Sequence, residues 1–294
     1  MGDLLINLLA TVIAGTAGWL AGFLLRRRRL ARKRAFFGLT EGASCLLVVS
    51  RHASSPREHS VHRRDVAALV ELATVARECG ARADRVGENQ PTGEIGRLTE
   101  FCVGGPGGAS PRSATHVRTI LRGVRYAAGD EERTHLAFTV GGAEYSSSPE
   151  VSYVLLARFW GPAGGRPVFL IGGLSAGSNL AGARYLASRH RELARRYGAD
   201  QPFCLVLRIV EPAAYGTDFT ELVADVSDVA FQPPAPRQPA APADPADPAD
   251  PAAGRAVPAG PAADQAGPAA DQAGPAVPAG PAAARAEALR PPAE

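Results

Sequence analysis

Lysine is almost missing from this chain: Lys33 stands alone among 32 basic residues, and Met1 is the one methionine. Arginine, alanine, glycine and proline fill the gap, a bias of GC-rich coding that carries no mechanistic information. Cysteine is scarce too. Cys45, Cys79, Cys102 and Cys204 show no C-x-x-C spacing, which argues against a metal site. Three of them sit in apolar, strand-like runs, where cysteine behaves as a small buried hydrophobe, and reduced thiols suit a cytosolic domain. His52, His59, His62, His116 and His135 likewise lack metal-ligand spacing. Past Phe231 there are no aromatic residues and almost no large aliphatics. Ala-Asp-Pro recurs from Ala243 to Pro251, and Gly-Pro-Ala-Ala-Asp-Gln-Ala begins at both Gly260 and Gly267. These repeats hold nothing that stacks into a solenoid. Residues 232–294 therefore read as an extended, disordered tail, too poor in apolar surface to offset chain entropy.

Excess positive charge is missing from the central segment. The formal charge is +3, yet seven basic residues lie between Arg26 and Arg34. Residues 35–231 carry 21 arginines against 21 acids, and the tail is net −3. A nucleic-acid binder carries its positive charge on the folded module. No nucleic-acid partner is expected.

The positive charge instead follows an apolar run. Leu4 to Leu25 is almost uninterrupted, and about 20 such residues span a bilayer as a helix. A cleaved secretory signal places its positive charge before the run, whereas only Met1, Gly2 and Asp3 stand there. Residues 1–34 thus predict a single-pass transmembrane helix in the cell membrane, N-terminus outside, with a basic juxtamembrane segment. Arg26 to Arg34 would meet anionic lipid headgroups at about 1 kcal/mol per basic residue. Ala10, Ala14, Gly18 and Gly22 recur every fourth position, a small-residue ridge on which such a helix forms a homodimer.

Residues 35–231 are enough for one domain with a proper core. Ser44–Ser50, Ala81–Val86, Phe101–Gly105, Pro167–Ile171 and Phe203–Val210 read as strands, as do His135–Val140, Ala143–Ser147 and Val151–Trp160. Gly141-Gly142 and residues 161–166 supply hairpin turns. Helices are expected over Asp65–Cys79, from Ser110-Pro111 to about Leu121, and over Ser178–Tyr197. On the first of these, Val66, Leu69, Val70, Ala73 and Ala76 form one apolar face. Together they predict an α/β fold with a mostly parallel or mixed β-sheet and helices on both faces, a Rossmann-like cytosolic domain.

Two strand-to-helix turns carry candidate chemistry. Gly104-Gly105-Pro106-Gly107-Gly108 leads to a helix capped by Ser110, with Arg112 in its first turn. Backbone amides and the helix dipole at such a turn suit a phosphate. It matches neither the G-x-G-x-x-G nor the G-x-x-x-x-G-K-[ST] fingerprint. The second turn, Gly172 to Ser178, contains Gly173-Leu174-Ser175-Ala176-Gly177. Its letters fit a hydrolase nucleophile elbow. The only later histidine, His190, lies about 20 Å further along the same helix, out of reach of Ser175. Ser175 and Ser178 are expected to cap the helix or bind a ligand. The ligand-binding set is thus Gly104, Gly105, Ser110, Arg112, Gly172, Gly173, Ser175 and Ser178, with Glu144, Tyr145 and Ser146 to Ser148 of the hairpin region close by.

The series RKRAFFGL, CLLVVSR, DVAALVELA, EFCVGGP, RPVFLIGG and FCLVLRIV resembles an actinobacterial group of membrane-anchored α/β proteins, from about Leu4 to Phe231. The resemblance implies the fold and the anchor and transfers no catalytic residue. In that group an Asn or Thr is expected soon after the GGP turn, whereas Gly107, Gly108 and Ala109 stand here. The function expected is a membrane-anchored ligand-sensing or interaction module for a small anionic, nucleotide-like ligand. The alternative is an enzyme acting on a nucleotide or nucleoside, with Glu100 or Glu144 as its acid–base group.

Overall fold

The computed structural model describes residues 2–52, 55, 57, 60–87, 93–106, 111–127 and 137–233, with backbone alone for 2–6, 8–14 and 85–87. The tail expected to be disordered lies outside the described residues. The first element, α1 (Gly2–Phe37), is one helix of 36 residues. Among the described residues no helix is long and apolar enough to cross a membrane. Half of the apolar run, residues 4–14, has its side chains outside the described set, Asn7 excepted.

Helix α1 does not end where the basic block ends. It continues into the domain, and Phe36, Phe37 and then Leu39 are almost fully buried. Gly38, with φ +62°, stops it. Gly38 N–H bonds to Ala35 O and Leu39 N–H to Arg34 O, the paired bonds of a Schellman ending. The boundary expected after Arg34 therefore falls inside a continuous helix. Lys33 pairs with Glu78, and Arg34 with Glu41 and the Cys79 carbonyl, so the domain engages two of the seven basic residues.

The remaining elements are β1 (Ser44–Val49), α2 (Arg63–Glu78), β2 (Arg82–Gly87), β3 (Thr99–Val103), α3 (Pro111–Thr119) and β4 (Val124–Tyr126), then β5 (Ala137–Val140), β6 (Ala143–Ser146), β7 (Val151–Gly161) and β8 (Gly164–Gly173). Last come α4 (Ala176–Tyr197), β9 (Phe203–Val210), α5 (Pro212–Tyr215), β10 (Thr220–Asp225) and α6 (Ser227–Ala230). Seven strands form one sheet in the order β10-β9-β7-β8-β3-β1-β2. Strands β2, β1, β3 and β8 are parallel; β7 opposes both β8 and β9, and β10 opposes β9. The sheet is mixed because β7 and β8 form a hairpin, turned at Pro162 and Ala163 and followed by Gly164 and Gly165, both with positive φ.

One face of the sheet packs under α2, α4 and the end of α1, with Leu72, Leu186, Phe37 and Phe169 in the core. The other face meets α3, α6 and the small sheet β4-β5-β6, through Val117, Phe138, Val140 and Ala230. Helices alone therefore do not cover the second face. On α2 the buried stripe is Asp65, Ala68, Leu69, Leu72, Val75 and Ala76. The stripe is rotated from the expected one, and Val66 and Val70 stand exposed.

Two features set the orientation of the sheet. The crossover β1–α2–β2 leaves β1 on one side and β3 joins on the other, so a topological switch point lies between β1 and β3. At the opposite, amino edge, Thr99 Oγ1 donates to the Phe37 and Gly38 carbonyls, and Arg166 donates to Gly38 O. Helix α1 thus joins the domain at the edge away from the switch point.

Candidate functional site

The carboxyl ends of β1, β3 and β8 emerge side by side, and the two glycine turns meet there. Gly104 N–H bonds to Ile171 O at 3.0 Å. A methyl group added at Gly105 would lie 3.1 Å from the Gly173 carbonyl oxygen. One added at Gly173 would lie 2.6 Å from Asn179 Oδ1, so only glycine fits at that close approach. Ser50 Oγ donates to Val103 O and ties the end of β1 to the same rim.

Between the turns sits Tyr126, from the end of β4. Its hydroxyl donates to Gly172 O at 2.8 Å, and its ring edge would lie 3.6 Å from a methyl group on Gly105. Burial pushes its phenol pKa well up, so it stays a neutral donor.

Below this rim runs a polar network of which sequence reasoning named Ser147, Ser175 and Ser178 and missed Asp65, Ser152 and Asn179. Gly173 N–H donates to Asn179 Oδ1, and Asn179 Nδ2 donates to Asp65 Oδ1, both at 2.8 Å. Ser147, Ser152, Ser178 and Ser175 form a hydroxyl chain with links of 3.2, 2.7 and 2.8 Å. Asp65, Ser152, Ser178 and Asn179 are all buried. The starts of α2 and α4 converge here. Ser175 caps α4 by accepting from Ser178 N–H, and His62 Nδ1 caps α2 by accepting from Arg64 N–H. The His52 and His62 rings lie 5.3 Å apart. Arg64 reaches the first turn of α4, where its guanidinium would lie 3.1 Å from a methyl group on Gly177.

Ser175 has extended backbone, φ −151° and ψ 163°, without the sharp strained turn of a nucleophile elbow. Its neighbours are serine hydroxyls, and His190 turns its Nδ1 to the Ala187 carbonyl within α4. The letters G-x-S-x-G describe a helix cap.

Of the expected ligand set, Gly104, Gly105, Gly172, Gly173, Ser175 and Ser178 share this edge. Ser110 lies outside the described residues. Arg112 does not join them. Its Nε and Nη2 grip the Glu100 carboxylate at 2.8 and 2.5 Å. Glu100 is fully buried, and a buried carboxylate needs a partner more than a rim needs a cation. Burial would raise the Glu100 pKa, but the neighbouring His116 ring and the Arg112 guanidinium hold it below the usual range. Glu100 is thereby committed to an ion pair. Glu144 is exposed on β6, and Tyr145 packs on Phe138 and Tyr153. Of the hairpin-region residues, Ser147 reaches the network and Ser148 turns to Glu150.

Asp65 carries the clearest electrostatic signal. Burial raises its pKa, opposed by the Asn179 hydrogen bond and by His62 and His52. A raised folded-state pKa means that its contribution is complete below the unfolded carboxylate range and is lost as pH rises through the folded value. Asp65→Asn keeps the Asn179 bond and removes the buried charge. At neutral pH the variant is expected to be more stable by roughly 0.5–2 kcal/mol. Denaturant titrations should show the gap shrinking at about pH 3; a variant less stable at neutral pH contradicts the assignment.

Comparison of the chain with family models, with curated proteins and with solved structures finds no match.

Proposed function

We propose that this chain is a membrane-anchored module whose cytosolic α/β domain binds a small anionic, nucleotide-like ligand at the carboxyl edge of its sheet. The observation that carries this reading is the convergence of two long-helix starts, α2 and α4, at the carboxyl edge of the sheet, where Asp65 is buried against Asn179. Helix starts and glycine turns suit phosphate. A carboxylate beside an amide suits the hydroxyls of a ribose. Arg64, His52 and His62 supply cationic or hydrogen-bonding groups at the same rim. The chain's place in the actinobacterial membrane-anchored α/β group belongs to the same proposal.

The test is a thermal-shift screen of the full chain in detergent against ATP, GTP, ADP-ribose and inorganic phosphate. A nucleotide at a hundredfold over its Kd adds about 2.7 kcal/mol. The expected result is a raised melting temperature with at least one nucleotide, lost in Asp65→Asn although that variant folds. No shift with any of the four contradicts the reading.

One observation favours the alternative, catalysis on a nucleotide: the raised pKa of Asp65 beside two histidines, which suits an acid–base group. It puts Asp65 in the role expected of Glu100 or Glu144. Turnover of a bound nucleotide, abolished in Asp65→Asn, would select the enzyme over the sensor.

Support for the anchor comes from exposed apolar side chains on α1: Trp19, Leu20, Phe23, Leu24 and Leu25. Arg26 to Arg29 and Arg32 are also exposed, beyond the apolar stretch. Because α1 meets the amino edge, the proposed site faces away from the lipid. Nothing lies within 4 Å of a methyl group added at Gly18 or Gly22, which leaves that part of the ridge open for the homodimer; the side chains of Ala10 and Ala14 lie outside the described residues. A reporter fused to the C-terminus should be active only as a cytoplasmic reporter. Activity of an extracytoplasmic reporter there reverses the topology.

A further inference from the structure

On the face of β3 opposite Phe101 and Val103, Glu100 and Cys102 point the same way, as alternate residues of a strand must. Helix α3 crosses above them and lowers His116 onto the pair. One donor atom from each of Glu100, Cys102 and His116 lies within 4.8 Å of the other two, and all three residues are buried. His116 Nε2 is buried and has no hydrogen-bond partner among the described residues. Its nearest charged group, Glu100 Oε2, is 3.5 Å away, too far for a good hydrogen bond. An orphaned, desolvated imidazole nitrogen is costly in a sheet core.

We infer that Glu100, Cys102 and His116 form a binding site for a divalent transition-metal ion, zinc by preference. A thiolate, an imidazole and a carboxylate are the donor types zinc takes, at about 2.0–2.3 Å. An ion between donors that lie this close needs only a small inward shift of each side chain. The ion takes the lone pair of His116 Nε2 and displaces the Cys102 thiol proton to solvent, so binding weakens in acid. Arg112 grips both oxygens of the Glu100 carboxylate and fixes its orientation, as outer partners of metal ligands do. Zinc, one thiolate, one carboxylate and Arg112 sum to one positive charge, which a bound hydroxide neutralises.

Three protein ligands leave one coordination position open. A cavity of about 490 Å³, lined by Ile95, Arg112, Thr115, His116 and Thr119 among others, lies beside His116. A water or a small anion has a route to the ion from there. The site is separate from the glycine-turn rim. The absence of C-x-x-C spacing gave no hint of it, because its three ligands include one cysteine only and lie on two elements.

The test uses the full chain, stripped with a chelator and loaded with Co²⁺ or Zn²⁺. About one equivalent of zinc should remain after gel filtration. The cobalt form should show a thiolate-to-metal charge-transfer band and the visible absorption of a tetrahedral ion. Cys102→Ser should abolish the band, and His116→Gln should weaken zinc binding by at least tenfold. A chain with Cys45, Cys79 and Cys204 all replaced by alanine should keep the band. Far-UV circular dichroism checks each variant, and the zinc content of the unaltered chain decides the matter if a variant misfolds. Zinc below a tenth of an equivalent, or a band that persists in folded Cys102→Ser, overturns the site.

Discussion

Replacing Arg158 with alanine is expected to cost about 3–5 kcal/mol of folding stability, as removal of a buried, fully bonded charged group does. Arg158 is completely buried in the middle of β7, and no carboxylate lies in ion-pair range among the described residues. Its guanidinium donates instead to the carbonyls of Phe36, Tyr197, Gly198 and Gln201. It also lies over the rings of Phe36, Trp160 and Phe203. It thereby closes the C-terminal ends of α1 and α4, where helix carbonyls lack internal partners. Burial lowers its pKa to about 10, so its charge is held at a cost that those bonds offset. Arg158→Lys keeps the charge but not the five-donor fork, and should recover less than half of the loss. Equilibrium unfolding of the full chain measures both variants; a loss under about 1 kcal/mol for alanine contradicts the closure role.

Phe37→Ala is the second large effect, again about 3–5 kcal/mol. Phe37 is fully buried, with its ring centroid 4.9 Å from Phe36, 5.4 Å from Phe169 and 6.0 Å from Phe101. Removing it leaves a cavity where α1 enters the core. The same substitution on the exposed Phe23 should change stability by less than about 0.5 kcal/mol. Comparable losses for both would mean that α1 is not part of the domain core.

The strands were legible because strands buried on both faces read as unbroken apolar runs: SCLLVV, EFCV, PVFLI and FCLVLRIV all form. The Gly141-Gly142 turn was legible because both residues need positive φ, and both have it. Strand β10 was not. TELVAD lies at the sheet edge and is mostly outward-facing, so it lacks the apolar alternation that announces a strand. Arg158 was illegible for a related reason. One arginine in an apolar strand reads as an outward residue, and only the folded helix ends create the carbonyl nest that holds it.

The candidate site was half legible. Glycine turns after apolar strands mark the carboxyl edge, and their side-by-side placement follows from β8 pairing with β3. Asp65 was hidden in a helical first turn, where an acid normally faces solvent, and its burial depends on α4 delivering Asn179 across 114 residues of sequence. Arg112 misled for the converse reason. Its sequence position favours the turn, but the buried Glu100 carboxylate lies within its reach.

The most direct test of the carboxyl-edge site is hydrogen–deuterium exchange on the full chain with and without a saturating nucleotide drawn from ATP, GTP and ADP-ribose. Protection is expected in residues 62–66, 104–106 and 172–179, with the amino-edge residues 38–44 unchanged. Protection confined to the amino edge, or no ligand-dependent protection at the glycine turns, would contradict it.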